Sequence, residues 1–206
     1  MLNPDPEIRR LLDLMPASGR MVTKLVSRPE QSAVVDVTFP LPWHRTRPIN
    51  VNFDLWGQLS RPQRDLMLLR TVAWLTSIRW FQPSIYQGLV LAGAVGTLIE
   101  LSQGDAIGAV TAGGLTALAG TQIWRGSRSP QLELEADEAA LRVAQRRGYT
   151  EPEAARHLVD AIEVVAAIER RPGLDFTELL RCQNLRAIAG SSSMGVPDPM
   201  RRSLNR

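Results

Sequence analysis

The pattern of apolar and polar positions divides the chain into a continuous apolar stretch and two flanks with periodic patterning. The stretch, residues 87–124, has two arms, 88–101 and 106–124, joined by Ser102, Gln103, Gly104 and Asp105. Both arms are hydrophobic on every side. In the first flank Asp5 caps a helix that starts at Pro6 and has an apolar face of Ile8, Leu11, Leu12, Leu14 and Met15. Pro16 and Gly19 break it, and residues 21–27 read as a short second helix ended by Pro29. Residues 32–39 and 48–54 are rich in β-branched side chains and partly alternate, so they read as two strands placed to pair antiparallel. Residues 54–59 form a short helix. Ser60 then caps a helix reaching about Trp80, with Leu66, Leu69, Val72, Ala73, Leu75 and Trp80 inward. Past the stretch and a linker at 126–130, helices are expected over 131–147, 151–169 and 176–188. Gly148 stops the first, Thr150 and Glu153 box the second, and Pro172-Gly173 separates it from the third. The fold class expected is mainly α with a small antiparallel β element and a two-helix apolar hairpin over 84–124. Residues 1–31 form an N-terminal helical segment, 32–189 the main domain, and 190–206 a disordered tail.

A helix that is hydrophobic all round is buried in protein or immersed in lipid. Crossing a bilayer takes about 20 residues; the second arm qualifies, and the first does so only with residues 83–87 added. Small residues recur every four positions, as in Gly88, Ala92, Gly96 and in Ala109, Gly113, Ala117. This spacing lets helix backbones approach closely in lipid. A buried hairpin in a soluble core, or at a dimer interface, has to accept the same glycines at a cost of about 1 kcal/mol each relative to Ala, so the membrane reading is preferred. Arg70 and Arg79 precede the hairpin and Arg125 and Arg128 follow it, whereas the turn carries only Glu100 and Asp105. Positive residues mark the cytoplasmic side. Both termini are therefore expected there, with the turn across the bilayer.

Composition changes this picture little. The 206 residues carry a net charge of +3, but the arginine pairs alternate with acids along helices, as on solvated faces. No nucleic-acid partner is expected. The single Cys182 excludes an intramolecular disulfide and fits a reducing compartment. The start of the chain, MLNPDPEIRR, lacks the basic opening of a signal peptide.

The order of parts resembles the membrane-embedded zinc endopeptidases related to the CAAX prenyl proteases and the bacterial heat-shock membrane proteases. Three pieces carry the resemblance: INVNFDLWGQLSRPQRDLMLLRTVAW over 49–74, the hydrophobic segment after it, and Glu133-Leu134-Glu135-Ala136-Asp137 in the place of the family's ExxxD motif. It covers roughly residues 48–168. It implies a metallopeptidase-like helical core, with Glu133 standing where the family has its third zinc ligand. It also implies that the strand formed by Ile49, Asn50, Val51, Asn52 and Phe53 is an edge that pairs with an extended client.

The departure from that family decides the chemistry. HExxH works because two histidines four apart bind zinc on one helix face while the glutamate activates water. Here Arg70-Thr71-Val72-Ala73-Trp74 stands in that place, and the only histidines are His44 and His157. An arginine does not ligate a cation, and Thr71 supplies no carboxylate. No zinc, no other cofactor and no peptidase activity are expected. Glu133 and Asp137 are either remnants of the ligand set or members of a solvated helix face. In the first case Arg70 is expected to fill the vacated metal position and pair with one of them. The phrase NPDPEIRRLLDLMPASGRM also resembles a small family of cyanobacterial membrane proteins. That likeness implies a thylakoid or plasma membrane of a cyanobacterium. The function expected is a non-catalytic binding, assembly or regulatory role, with the bilayer and a membrane-protein client or protease as partners. An active hydrolase with an unrecognised site, and a soluble helical interaction protein, remain the alternatives.

Overall fold

The structure, a computed structural model, describes residues 4–40, 46–77, 92–99, 102, 110, 114 and 130–190. The chain divides into two compact units, one of residues 1–78 with 130–204 and 206, the other of residues 79–129 with 205. The first unit is mainly helical with a small mixed sheet. In chain order its elements are α1 (Pro4–Leu14), α2 (Ala17–Val22), β1 (Thr23–Ser27), β2 (Val35–Val37), β3 (Arg47–Val51), α3 (Phe53–Trp56), α4 (Arg61–Ser77), α5 (Pro130–Gln145), α6 (Glu151–Ile168) and α7 (Phe176–Ile188).

Helix α4 is the centre, packed against α1, α2, α5 and α6. Ser60 precedes it, and its backbone N–H donates to the Gln63 side chain at 2.8 Å, filling one orphan position of the first turn. Leu66 and Leu69 of α4 meet Ala140, Leu141 and Ala144 of α5, Leu158 and Ile162 of α6, and Cys182 and Leu185 of α7 in one buried cluster. Ala140 and Ala144 of α5 let these helices sit close. Past its middle α4 meets the start of α5, through Arg70 and Glu133. Earlier on α4, Asp65 meets Tyr149, just past the other end of α5. The two helices are therefore antiparallel. Gly148, at φ +96°, turns the chain after α5 in the left-handed region that glycine enters freely. Asp175 and Glu178 box the start of α7, with Glu178 N donating to Asp175 Oδ1 at 2.7 Å and Asp175 N to Glu178 Oε2 at 3.0 Å.

Four expectations change. Residues 21–27 are not a helix. Helix α2 stops at Val22, and β1 runs from Thr23 to Ser27 in parallel register with β3, Thr23 against Arg47 and Ser27 against Val51. A segment this short follows the partner the fold supplies rather than its own periodicity. Because β2 pairs antiparallel with β3, the sheet is mixed and not purely antiparallel. The sheet order is β1-β3-β2, so β3 is central and hydrogen-bonded on both sides. The residues expected to offer a client-binding edge, Ile49, Asn50, Val51, Asn52 and Phe53, therefore have no free edge to offer. Ile49 and Val51 are buried, Phe53 is already in α3, and Asn52 caps that helix. Asp5, expected as a cap, lies inside α1, which starts at Pro4.

The N-terminal helical segment 1–31 supplies α1, α2 and β1 to the first unit. Among the described residues no helix is long and apolar enough to cross a membrane. The hairpin expected over 84–124 lies outside the described residues except for 92–99, which are helical, and positions 102, 110 and 114. Val95, Leu98 and Ile99 of that helix are exposed. The expected tail lies outside the described residues from 191 onward.

Candidate functional site

Helical spacing places Glu133 and Asp137 one turn apart on α5, facing Arg70 of α4. The Arg70 guanidinium pairs with Glu133 through Nη2 and lies 3.5 Å from Asp137 Oδ1 through Nε. Asp137 is fully buried. Its main partner is Arg181 of α7, whose Nε and Nη2 each donate to one carboxylate oxygen at 2.8 Å. This two-pronged geometry is the strongest a guanidinium and a carboxylate can form. The cluster thus holds two arginines and two acids, and ties three helices together. Burial pushes the Arg70 guanidinium down to about 9; the charge of Arg181 adds to that and Asp137 opposes it. Arg70 stays charged at neutral pH. For Arg181 burial acts downward too, but Asp137 outweighs it and the net shift is up. A carboxylate with two guanidinium partners already has the charge a metal would supply.

The other expected positions do not join this cluster. The Thr71 hydroxyl donates to the Met67 carbonyl of its own helix at 2.8 Å. Trp74 packs edge-on against Phe39, with ring centroids 6.1 Å apart. His157 lies on α6 beside Tyr149 and Glu153, and His44 is outside the described residues. Among the described residues no group of three His, Cys, Asp or Glu side chains is placed to hold a metal ion.

Sequence reasoning missed Arg181. Its one signal was position: an arginine between Leu180 and Cys182, on the face of α7 that turns inward. It also missed a second network at the other end of α4. Arg10 of α1 donates two bonds of 2.8 Å to the Glu7 carboxylate and a third to Asp65. Trp56 Nε1 and Arg64 Nη1 donate to Glu7 at 3.2 and 3.0 Å. The Tyr149 hydroxyl donates to the second Asp65 oxygen at 2.9 Å. The Arg10 bond holds Glu7 below its ordinary range against the opposing effect of burial. Burial, followed by the bond to Asp65, pushes Tyr149 up to about 12, so its phenol keeps its proton. A cleft of about 440 Å³ opens beside this network, lined by Arg10, Asp13, Asp65, Arg61, Arg147 and Tyr149 among others. Within this network the two Asp65 oxygens accept from Arg10 and from Tyr149.

Fold and site together define a class: a helical unit around one central helix, cross-linked by buried arginine–carboxylate pairs and interrupted between α4 and α5 by a second, apolar unit. The chain belongs to the family described as Protein of unknown function (DUF3318), whose model matches residues 9–149. That span contains Arg70, Glu133 and Asp137, but neither Glu7 nor Arg181. The chain is also similar to the thylakoid membrane protein slr1949 of Synechocystis sp. (strain ATCC 27184 / PCC 6803 / Kazusa), 33% identical over 132 residues, which is 60% of this chain and 59% of that protein. The match therefore spans less than two thirds of the relative's length. Neither match is to a zinc endopeptidase, and no solved structure matches.

Proposed function

We propose that this protein is a non-catalytic, membrane-anchored binding or assembly protein of a cyanobacterial membrane, the thylakoid membrane first among the candidates. In this reading it is built on a degenerate zinc-peptidase scaffold. The observation that carries the non-catalytic part is the position of Arg70. Its guanidinium lies against Glu133 and Asp137, the two acids of the ExxxD pattern, where a metallopeptidase would hold its cation. In this reading the cross-link between the helices needs no zinc, and Thr71 supplies no water-activating carboxylate. The anchor is the hairpin 84–124, with both termini on the cytoplasmic side and the turn 102–105 across the bilayer. Support for it comes from the apolar patterning, the arginine asymmetry and the thylakoid relative. The client is a membrane protein or an active protease, and it docks somewhere other than β3.

Two measurements test this. Membranes from cells expressing the chain are extracted with alkaline carbonate, and the purified protein is assayed for metal by mass spectrometry. The chain is expected in the pellet and without stoichiometric zinc. Release into the carbonate supernatant would overturn the anchor. One zinc per chain, lost on Glu133→Gln, would overturn the degenerate scaffold.

A further inference from the structure

The last described residue of α4 and the first of α5 lie at one end of the first unit. Helices α4 and α5 are antiparallel, so Ser77, where α4 ends, and Pro130, where α5 begins, lie at the same end of the pair. Two other elements reach that end. Helix α2 packs on α4 with Gly19 against Val72, and Thr23, two residues past Met21, pairs with Arg47, which donates to the Leu75 carbonyl. Met21 is therefore close to the last turns of α4. On the other side, Leu180 of α7 packs on Leu134, in the first turns of α5, and Arg181 holds Asp137 one turn further in. The start of α7, with Phe176 and Leu179, thus projects toward the same end.

This end carries Met21, Phe176 and Leu179, exposed by 84%, 71% and 54%. Among the described residues they are the large apolar side chains exposed in the first unit. They lie on separate elements, and a soluble domain would gain nothing from gathering them at one end. Exposed cations stand beside Met21, namely Arg20 at the end of α2 and Lys24 on β1. Of the acids nearby, Asp175 and Glu178 are spent on the cap of α7, and Glu178 also on Arg171. Apolar tips flanked by cations, at the end that carries Ser77 and Pro130, match the interfacial layer of an anionic bilayer.

We infer that this end of the first unit is a membrane-contact face, on which Met21, Phe176 and Leu179 enter the headgroup layer while Arg20 and Lys24 meet anionic lipid. The inference rests on the membrane reading proposed above and adds a fixed orientation. The unit stands on the bilayer with α4 and α5 upright, and the cleft beside Asp65 and Tyr149 faces away from it.

The full chain is reconstituted in vesicles of phosphatidylcholine with phosphatidylglycerol. A nitroxide label is placed singly at Met21→Cys, Phe176→Cys or Glu151→Cys. Cys182 stays, because it is buried. All three positions are exposed, so the variants keep the fold, which circular dichroism verifies. The expected result is loss of relaxation by a water-soluble nickel complex at positions 21 and 176, with oxygen still effective, and full nickel relaxation at position 151. Full nickel relaxation at all three positions on vesicle-bound protein would overturn this face and leave the anchor standing. Failure of the protein to float with vesicles would overturn both. In phosphatidylcholine alone the protection at position 21 is expected to weaken; equal protection would overturn the role given to Arg20 and Lys24.

Discussion

Replacing Asp137 by alanine tests the central cross-link most directly. The Asp137 carboxylate is fully buried and accepts two 2.8 Å bonds from Arg181, with Arg70 Nε 3.5 Å from one oxygen. Its loss leaves the Arg181 guanidinium, itself only 8% exposed, without the anion that offset its desolvation. Stripping one partner from a buried pair costs about 3–5 kcal/mol. A domain of this size is stable by about 5–15 kcal/mol, so Asp137→Ala should consume a large share of the total. Arg70→Met removes the other guanidinium but leaves the Arg181–Asp137 fork intact. The freed Glu133, whose side chain is 21% exposed, can take up water. Burial already works against the Arg70 charge, as its lowered pKa shows. Replacing it with an apolar side chain of similar length should therefore cost less, about 0–2 kcal/mol. Urea unfolding of the chain in mild detergent, followed by circular dichroism, gives both values. A cost for Asp137→Ala below about 1 kcal/mol, or an Arg70→Met variant as damaged as Asp137→Ala, would refute the view that this acid is the keystone.

Other consequences are open to simple measurements. The Glu7 carboxylate titrates below its ordinary 4.5 in the folded chain. Its contribution is thus complete above that value and lost as pH falls through the depressed one; Glu7→Gln should flatten the acid limb of a stability-versus-pH curve, and an unchanged limb would exclude Glu7 as its source. A Cβ on Gly19 would sit 2.4 Å from Val72 Cγ1, and that branched side chain has little freedom to move. Gly19→Ala should cost about 1–3 kcal/mol, with Val72→Ala in the same chain restoring part of it; equal melting temperatures for wild type and Gly19→Ala would argue against that close approach. Burial pushes the Cys182 thiol up to about 11, so it should resist a disulfide reagent at pH 8 until denaturant opens the core. Reaction of the native chain at the rate of a free thiol would contradict the packing of α7.

Elements whose causes are local were legible along the chain. The separation of the last helix, Phe176–Ile188, follows from Pro172-Gly173 ahead of it. The stop after α5 follows from Gly148 and the start of α6 from Thr150, because capping acts over three or four residues. The encounter of Arg70 with Glu133 and Asp137, expected from the resemblance, is present in the fold, although neither family nor relative matched is a zinc endopeptidase. Features that depend on distant partners emerged only on folding. Thr23–Ser27 became a strand because β3 was there to pair with it, which no window of that length records. For the same reason β3 turned out central and not an edge: strand order is set by which segments return to it. Arg181 looked like any arginine on a surface helix until packing brought Asp137 beneath it, 44 residues away in sequence. Spacing along a chain reveals a helix and its face, but only folding decides which charge stands opposite that face.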